Sequence, residues 1–411
     1  MAEQLAENGV RAARDGERAE LVVVNTCTVT REATKASRSA IRRAVKDHPA
    51  AKVVVVGCYA VSNPEEIEGM DGVEVIAGND DKERIAEVLG AAAATRPLLH
   101  IGVRASSLGS PPRVRANLKA QTGCDEWCTF CIIPKTRGPL RSMDEEDLVS
   151  EARVRATAGT RELVLTGVHL GKYTYDHGGD ERSLVRLFSR LLEIEGICRL
   201  RLSSILSRHL TQEVVDFIAD EPRMCRYLHV PLQSGDDGVL RDMNRPYRID
   251  EYLEAVQRAA AIPRLALATD IIVGFPTETD DAFRATLEVV ARVRFSKLHV
   301  FRFSPRPDTA AAALADAVSP EQKRARSKRL IDLGNAIRRD FLEAHLGGPL
   351  EVLVEDEREV DGVRVCSGQT DDYVRVWFEG SDLLGSLVTV KGREIRADGI
   401  RGAELLEAGA E

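Results

Sequence analysis

Six apolar segments, each followed by a helical stretch, recur between residues 114 and 346 of this 411-residue chain and restrict its fold more than any other feature. The predicted strands are Ala116–Ala120, Glu162–Thr166, Arg199–Ser203, Tyr227–Pro231, Leu267–Val273 and Lys297–Phe303. Alternation of strand and helix is typical of parallel sheets, so six such units predict a partial (βα)6 barrel within an α/β protein. In barrels of this kind the chemistry lies at the carboxyl ends of the strands.

Patterns on either side of this region predict two further domains. Residues 21–89 alternate Val-rich runs, such as Val53–Val56, with polar helical stretches, which is typical of buried parallel strands in a small α/β layer. Residues 91–115 carry turn formers without a period and are predicted to be a linker. After Pro349, short β segments separated by Gly, Asp and Ser predict a small closed β-barrel. The expected domains are residues 1–98, 110–341 and 342–408.

Composition excludes several other classes of protein. A hydrophobic content of 44% is that of an ordinary globular chain, and no apolar run reaches the length of a membrane helix. The N-terminus lacks the basic and then apolar pattern of a signal peptide, so we expect a cytoplasmic protein. The net charge of -8 argues against a general, sequence-independent coat on nucleic acid. Eight cysteines in a reducing compartment favour metal binding or burial over disulfides.

Three cysteines, Cys124, Cys128 and Cys131, lie on one short loop directly after the first of the six strands. Three soft thiolate ligands with no fourth nearby suit an iron–sulfur cluster with one open iron. Zinc is the competing interpretation, but a structural zinc site needs four closed ligands, and the next cysteine is the distant Cys198. Loop cysteines without any ligand role are the remaining alternative.

Cys27 and Cys58 each follow directly on a Val-rich predicted strand. Both thiols should therefore emerge at the same edge of the small sheet, close enough to share a ligand. Two buried strand-end cysteines are the alternative, because cysteine is among the most buried residues. We interpret Cys198, Cys225 and Cys366, which stand singly in or beside apolar segments, as packing residues.

Several segments carry a resemblance that covers essentially the whole chain. They are Asn25–Thr30, Gly57–Ala60, the loop from Cys124 to Gly138, Leu165–Gly171, Arg201–Ile205, His229–Gly235 and Asp270–Pro276. Together they resemble the methylthiotransferases, a family of radical S-adenosylmethionine (SAM) enzymes. The resemblance implies an N-terminal α/β methylthiotransferase domain with a second 4Fe-4S cluster, a radical SAM partial barrel and a C-terminal TRAM module.

The resemblance also implies a cofactor site. Cys124, Cys128 and Cys131 would hold a 4Fe-4S cluster whose open iron binds SAM, and a reducing electron would split SAM to give a 5'-deoxyadenosyl radical. Further SAM contacts are implied at Phe130, Thr166, Gly167, Ser203, Gln233, Ile272 and Gly274. Hydrogen abstraction needs no general acid or base in this family, so no catalytic residue beyond the cluster ligands is expected. His169 is either catalytic or a hydrogen-bonded loop histidine.

Cys27 and Cys58 are assigned by the same resemblance to the second 4Fe-4S cluster, with a third ligand missing. In the family the first ligand lies on a loop after an opening strand, and this sequence starts at Met1 in what resembles the following helix. We expect an upstream start site, or else a cluster site with only two cysteines. In the family this cluster presents the sulfur of the methylthio group.

Two segments, Arg201–Ile205 and His299–Arg306, resemble the branch of the family that acts on N6-threonylcarbamoyladenosine next to the anticodon of tRNA. The expected reaction forms its 2-methylthio derivative and needs an electron donor and a sulfur source from outside the chain. The alternatives are a methylthiotransferase for N6-isopentenyladenosine in tRNA or for a ribosomal protein, and an iron–sulfur protein that binds RNA without catalysis.

Contacts with RNA would have to come from local patches. The basic candidates are Lys135, Arg137 and Arg141 after the cysteine loop, and Lys323, Arg324, Arg326, Lys328, Arg329, Arg338 and Arg339 on the last long helix. The helix residues could equally form a solvated face, because acidic residues stand among them. Tyr373 and Phe378 could stack on exposed bases or belong to a core.

Overall fold

The computed structural model describes residues 11–13, 17–85, 87, 97–102, 113–180 and 182–406. The strands are β1 (Arg11–Ala12), β2 (Leu21–Thr26), β3 (Lys52–Gly57), β4 (Val73–Ala77), β5 (Pro97–Gly102), β6 (Arg115–Lys119), β7 (Gln121–Thr122), β8 (Arg141–Ser142), β9 (Glu162–Thr166), β10 (Arg199–Leu202), β11 (Tyr227–His229), β12 (Ala266–Val273), β13 (Lys297–Arg302), β14 (Pro349–Val360), β15 (Val363–Gln369), β16 (Arg375–Glu379), β17 (Leu387–Arg396) and β18 (Gly399–Leu406). The α-helices are α1 (Arg31–Asp47), α2 (Cys58–Ser62), α3 (Pro64–Glu68), α4 (Ile133–Arg137), α5 (Glu145–Thr157), α6 (Arg182–Leu192), α7 (Gln212–Asp220), α8 (Asp237–Asp242), α9 (Ile249–Ala259), α10 (Asp280–Val293) and α11 (Pro320–Glu343). None of these helices combines the length and the apolar character needed to span a membrane.

The chain divides into two compact units. The smaller unit comprises Met1–Pro111, Phe130–Pro139 and Ser304–Thr309. The larger unit comprises Pro112–Thr129, Leu140–Phe303 and Ala310–Glu411, and therefore contains both the six-strand repeat and the C-terminal β region.

A parallel sheet of five strands in the order β1-β5-β2-β3-β4 forms the centre of the smaller unit. Val22–Val24 on β2 and Val53–Val56 on β3 are buried, as expected for Val-rich strands covered on both faces. Helix α1 begins after Thr30, whose hydroxyl oxygen accepts a hydrogen bond from the Ala33 amide. The buried side chains of α1 join the same core as these strands.

The segment predicted to be a linker contains strand β5, so that prediction was wrong over Pro97–Gly102. β5 pairs in parallel with β2, from Leu21 opposite Leu98 to Asn25 opposite Gly102. A single short apolar run after an Ala-rich stretch gives a weak strand signal, and its partner strand lies far earlier in the chain. Non-local pairing decides its conformation.

Six parallel strands form the partial barrel of the larger unit, in two sheets ordered β6-β9-β10 and β11-β12-β13. A parallel bridge between Leu200 and Met224 connects β10 to the residues just before β11. The six strands predicted from the sequence are confirmed within two residues at each end. On β9, Leu163 and Leu165 are buried in the core that the sheet shares with its helices, so Glu162, Val164 and Thr166 lie on the other face.

Five strands at the C-terminus close into a barrel in the order β14-β15-β16-β18-β17, as the sequence predicted. The last strand, β18, was not predicted. Val352, Val376 and Phe378 are buried in the barrel core, and Cys366 is 0% exposed among them. The interpretations of Cys366 as a packing residue and of Phe378 as a core residue are therefore confirmed.

A cluster of charged and aromatic side chains connects this barrel to β9 and β10 within the larger unit. Arg201 Nε donates a hydrogen bond to Glu162 Oε1 at 2.7 Å, and both side chains are 1% exposed. Arg201 also donates to the Thr370 carbonyl oxygen at 3.0 Å and lies 4.4 Å from the ring centre of Tyr373. The Tyr373 ring in turn packs on Tyr227 at 4.6 Å. The Tyr373 ring is therefore engaged by Arg201 and Tyr227 and is not available to stack on bases.

Candidate functional site

The cysteine loop follows β6 and β7, at the carboxyl end of the first barrel strand. Cys124 and Cys128 belong to the larger unit and Cys131 to the smaller one. Cys128 is 8% exposed, whereas Cys124 and Cys131 are half-buried, and none of the three forms a disulfide with another described cysteine. Burial raises the pKa of the Cys124 thiol, although the Glu126 amide donates a hydrogen bond to its Sγ at 3.4 Å.

The end of helix α8 and the segment after it fix the conformation of this loop. Thr129 Oγ1 donates a hydrogen bond to the Asp242 carbonyl oxygen at 2.8 Å. Asn244 Nδ2 donates to the Trp127 carbonyl oxygen, also at 2.8 Å. Because both bonds join side chains to backbone carbonyls, they hold the path of the chain around Cys128 independently of any ligand.

Arg245 contacts a cysteine of the motif directly. Its Nη1 donates a hydrogen bond to Cys128 Sγ at 3.2 Å, and its Nε donates to the Tyr247 hydroxyl at 3.1 Å. Its Nη2 is buried, and no described residue accepts a hydrogen bond from it. Burial lowers the pKa of Arg245, but interaction with Tyr247 and Cys128 raises it overall. Arg245 therefore places a permanent positive charge and an unused donor beside the loop. This role cannot be read from the sequence alone, because arginine is not a metal ligand.

Two acidic residues of the loop are paired with basic residues that follow the next two barrel strands. Asp125 Oδ2 lies 2.6 Å from Nζ of Lys172, in the loop after β9. Glu126 forms an ion pair with Arg208, in the loop after β10. These pairs tie the cysteine loop to two neighbouring strand ends and so help to fix its position at the carboxyl edge of the sheet.

His169 is a buried histidine of the β9 loop, only 3% exposed. Its Nε2 lies 3.2 Å from Nε2 of His209, and its amide donates to Gln121 Oε1 at 2.7 Å. Burial lowers the pKa of His169 to about 3 and that of His209 to about 4, so both rings are neutral at pH 7. These contacts match the interpretation of His169 as a hydrogen-bonded loop histidine.

Thr166 and Ser203 lie side by side at the carboxyl ends of β9 and β10. The register pairs Leu165 with Leu202, and the Ser203 amide donates to the Leu165 carbonyl oxygen at 3.0 Å. Ser203 Oγ is buried without a hydrogen-bond partner among the described residues. Gly167 follows directly on Thr166. A buried hydroxyl without a partner is costly, so Ser203 is available to a polar ligand.

Gln233 and Ile272 are also neighbours. The Ile272 amide donates a hydrogen bond to the Gln233 carbonyl oxygen at 2.9 Å. Gln233 has a φ of 68° and a buried Oε1 that no described residue contacts by a hydrogen bond. Left-handed backbone at a non-glycine residue and an unpaired buried oxygen are both costly features that concentrate at ligand sites.

Gly274 lies directly after β12 and has a φ of 71°. Its amide donates a hydrogen bond to Glu278 Oε1 at 3.0 Å. A Cβ at this position would lie 2.4 Å from Cγ of Lys323. The close approach that requires glycine here is therefore made by the Lys323 side chain of the protein itself, whereas the sequence-based expectation was a contact with SAM.

The basic residues of α11 are mostly engaged within the protein. Lys323 and Arg326 are buried, so the prediction that they contact RNA was wrong. The other basic residues of the helix form the pairs Arg324–Glu321, Lys328–Asp332, Arg338–Asp398 and Arg339–Glu343, and Arg329 lies near the ring of Phe283. These contacts favour the alternative of a solvated, internally paired face over a patch for RNA.

In the smaller unit, Cys27 and Cys58 lie at one edge of the sheet, as predicted. β2 and β3 run parallel and pair Thr26 with Gly57, so each cysteine comes directly after its strand at the same edge. Ser37 Oγ accepts a hydrogen bond from the Cys27 amide at 3.0 Å and donates to the Cys27 carbonyl at 2.9 Å. Cys58 is 3% exposed.

Cationic and polar side chains accompany these two thiols. Burial raises the pKa of Cys58, but the charge of Arg137 and a hydrogen bond from Asn79 Nδ2 at 3.4 Å lower it overall. Arg306, from the segment Ser304–Thr309 of the same unit, is within electrostatic range of Cys27. Arg137 was predicted to contact RNA, and its position gives it a second effect, since its charge lowers the pKa of the Cys58 thiol.

The residues present fit iron–sulfur chemistry at both places. None of these described cysteines forms a disulfide, and an arginine accompanies one cysteine of each set: Arg245 donates a hydrogen bond to Cys128 Sγ, and the charge of Arg137 lowers the pKa of Cys58. The unpaired atoms of Ser203, Gln233 and Arg245 fit a polar cofactor at the carboxyl edge of the barrel.

Comparison with known families and structures agrees with this geometry. The Radical SAM superfamily matches residues 118–290, and Uncharacterized protein family UPF0004 matches residues 1–78. Among solved structures, the radical S-adenosylmethionine methyltransferase TsrM from Kitasatospora setae has a TM-score of 0.54 at 16% identity, covering 76% of this chain and 68% of TsrM. That likeness shows the shared fold.

Sequence relatives are more similar. Threonylcarbamoyladenosine tRNA methylthiotransferase MtaB of Bacillus subtilis is 36% identical over 91% of this chain and 85% of its own length. The enzyme of the same name from Aquifex aeolicus is 34% identical over 90% of each chain. The tRNA-2-methylthio-N(6)-dimethylallyladenosine synthase of Anaplasma marginale is 34% identical over 88% of this chain and 81% of its own. This chain therefore belongs to the tRNA methylthiotransferase family of radical SAM enzymes.

Proposed function

We propose that this protein attaches a methylthio group to carbon 2 of N6-threonylcarbamoyladenosine in tRNA, using SAM and 4Fe-4S clusters. Three relatives named for this substrate, 34–36% identical over most of the chain, support the choice of nucleoside. The observation that carries the proposal is the cysteine loop at the carboxyl edge of a parallel barrel, where buried polar atoms of Ser203 and Gln233 have no hydrogen-bond partner in the described part of the chain.

The roles of individual residues follow from their positions. Cys124, Cys128 and Cys131 would hold the first cluster, which together with bound SAM supplies the 5'-deoxyadenosyl radical. The residues that would bind and orient SAM are Phe130, Thr166, Gly167, Ser203, Gln233, Ile272 and Gly274. Burial of Ser203 Oγ and Gln233 Oε1 supports a site that excludes water from a reactive radical.

Cys27 and Cys58 would hold the second cluster and present the sulfur that is transferred. Arg137 and Arg306 would stabilise negative charge there, because a cation near a thiolate favours the charged form. The reaction needs an electron donor and a sulfur source from outside the chain, and a tRNA substrate implies a cytoplasmic location. We assign residues 1–98, 110–341 and 342–408 to the methylthiotransferase, radical SAM and TRAM domains.

Anaerobic reconstitution with iron and sulfide, followed by incubation with SAM, dithionite and tRNA carrying threonylcarbamoyladenosine, tests the proposal. We expect release of 5'-deoxyadenosine and a 2-methylthio nucleoside in digested tRNA, both measured by liquid chromatography and mass spectrometry. Cys128→Ala should abolish both products, whereas Cys198→Ala, which changes a cysteine outside the loop, should retain them. A fully loaded protein that does not cleave SAM would be the non-catalytic RNA-binding protein instead.

The second candidate substrate is tRNA carrying N6-dimethylallyladenosine, because a synthase named for that nucleoside is 34% identical to this chain. Parallel assays with the two modified forms of one tRNA separate the candidates. Methylthio product from the dimethylallyl form alone would replace the first proposal with the second.

A further inference from the structure

Three side chains on adjacent barrel strands form a cluster that has no role in the site described above. It consists of His229 on β11, Asp270 on β12 and His299 on β13. Asp270 Oδ1 lies 3.1 Å from His229 Nε2 and 3.1 Å from His299 Nδ1. The two imidazole rings are 5.4 Å apart, centre to centre. We refer to these three residues as the inner cluster.

The inner cluster lies on the face of the sheet that is turned away from the helices. On β13, Leu298 packs against Gly334 of α11, so the adjacent His299 points to the barrel interior. On β12, Ile271 is buried in the core that the sheet shares with its helices, so the adjacent Asp270 also points inward. The side chains of the inner cluster are 14%, 24% and 42% exposed in chain order. A ligand inside the barrel can therefore reach them.

Hydrogen bonding fixes the orientation of both rings. Burial raises the pKa of Asp270, but hydrogen bonds from His229 and His299 lower it to about 2, so its carboxylate is ionised and can only accept. The hydrogen atoms must therefore be on His229 Nε2 and His299 Nδ1. The second nitrogen of each ring, Nδ1 of His229 and Nε2 of His299, has no hydrogen-bond partner among the described residues. Such a nitrogen accepts a hydrogen bond when the ring is neutral and donates one when it is protonated.

Two simpler explanations fit less well. A purely structural triad would be buried, whereas the His299 side chain is 42% exposed at the open edge of the sheet. A metal site would place ligand atoms around a shared ion at about 2.0–2.2 Å, but here one carboxylate oxygen faces both nitrogens at hydrogen-bond distance. The geometry is that of two imidazoles held in fixed orientation for a third, polar partner.

We propose that the inner cluster binds the N6 substituent of the substrate adenosine and selects a polar substituent over a hydrocarbon one. This inference rests on the proposed function. A threonylcarbamoyl group offers ureido N–H groups, a hydroxyl and a carboxylate to the free ring nitrogens, whereas a dimethylallyl group offers no hydrogen-bonding atom. A hydrocarbon in this position would leave the polar cluster desolvated and unpaired, and sites built for hydrogen bonding reject such analogues strongly.

The test compares wild type with His299→Phe, which keeps a ring but removes both nitrogens, and with His299→Asn, which retains a polar side chain. Each protein is assayed with one tRNA in its threonylcarbamoyl and dimethylallyl forms. Equilibrium binding is measured without SAM, and methylthio product and 5'-deoxyadenosine are measured with SAM. The matched control is His345→Phe, which removes a comparable histidine–carboxylate pair, with Asp372, in the C-terminal β region.

We expect His299→Phe to lose about 10- to 100-fold in affinity and product formation on the threonylcarbamoyl tRNA, the range for one unpaired buried polar group. Cleavage of SAM and binding of the dimethylallyl tRNA should remain, His299→Asn should show a smaller loss, and His345→Phe should keep the wild-type preference. An unchanged preference in both His299 variants would overturn the inference while leaving the proposed function intact. Stoichiometric zinc or manganese binding by wild type that Asp270→Asn abolishes would overturn it in favour of a metal site. Wild type that acts on the dimethylallyl form alone would instead refute the proposed function.

Discussion

The guanidinium group of Arg245 donates a hydrogen bond to Sγ of Cys128 at 3.2 Å. This contact joins residues that are 117 positions apart in the chain and places a permanent positive charge on one thiol of the cysteine loop. Hydrogen bonds to cluster sulfurs and nearby charge both tune the reduction potential of iron–sulfur clusters. Arg245 should therefore stabilise the reduced form, which carries one more negative charge than the oxidised form.

Replacing Arg245 should make the reduction potential of the 4Fe-4S cluster proposed for the cysteine loop more negative. A hydrogen bond to a charged group contributes about 1.5–3 kcal/mol, and only part of it differs between the two redox states, so we expect a shift on the order of 50 mV in Arg245→Gln. Arg245→Lys, which keeps the charge, should shift less. Spectroelectrochemical titration of reconstituted protein followed by electron paramagnetic resonance measures the potential. An unchanged potential in Arg245→Gln at full cluster content would contradict this role.

Removing one partner of the buried Arg201–Glu162 pair should strongly destabilise the larger unit. Arg201→Met leaves the Glu162 carboxylate buried without its partner, and such a loss costs about 3–5 kcal/mol. Unfolding in guanidinium chloride, followed by fluorescence of Trp377 in the C-terminal barrel, reports the change. The double variant Arg201→Met with Glu162→Gln should lose less than the sum of the single variants.

Lys328→Met provides the comparison, because its pair with Asp332 is exposed on the surface of α11. Surface pairs of this kind contribute little, so we expect no measurable change in the unfolding midpoint. Equal destabilisation by Arg201→Met and Lys328→Met would mean that burial does not increase the contribution of the Arg201–Glu162 pair to the free energy of unfolding.

The sequence predicts those parts of the structure that depend on local pattern. Val-rich and Leu-rich runs with regular spacing identify the six barrel strands, and cysteine spacing identifies the loop. It does not predict β5, because this short segment depends on pairing with the distant β2. It does not predict β18 either, although its partner β17 directly precedes it, because two glycines, Gly399 and Gly402, weaken the strand pattern of that segment. Contacts between side chains far apart in the chain were also missed, since the bonds of Asp270 span 41 and 29 residues and follow no period.

Gly57→Ala should disrupt the site formed by Cys27 and Cys58. Gly57 has a φ of 110°, and a Cβ there would lie 2.3 Å from the Thr26 carbonyl oxygen on the neighbouring strand. A side chain at this position therefore has to separate the ends of β2 and β3, which carry the two cysteines. We expect iron bound at this site to fall, as measured by iron content in a Cys124→Ala, Cys128→Ala, Cys131→Ala background that leaves only the Cys27 and Cys58 site. Gly57→Ala in the protein with all three loop cysteines should still cleave SAM. Gly138→Ala is the control, because it also has positive φ but open space around a Cβ.

The pair of His345 and Asp372 should make the stability of the C-terminal region depend on pH in both directions. Burial lowers the pKa of His345, but its hydrogen bond to Asp372 raises it above 6.5 overall, and the same bond lowers the pKa of Asp372 below 3.8 despite burial. The stabilisation that comes from protonated His345 is thus complete below pH 6.5 and is lost as pH rises through the raised pKa of His345. The stabilisation that comes from ionised Asp372 is complete above pH 3.8 and is lost as pH falls through the lowered pKa of Asp372. The difference in free energy of unfolding between wild type and His345→Asn should therefore be largest between about pH 4 and pH 6.5 and should narrow on both sides. Unfolding of wild type and His345→Asn in guanidinium chloride from pH 3 to pH 9, followed by Trp377 fluorescence, measures this difference. A difference that stays constant over this pH range would show that the pair stabilises the fold through packing and not through charge.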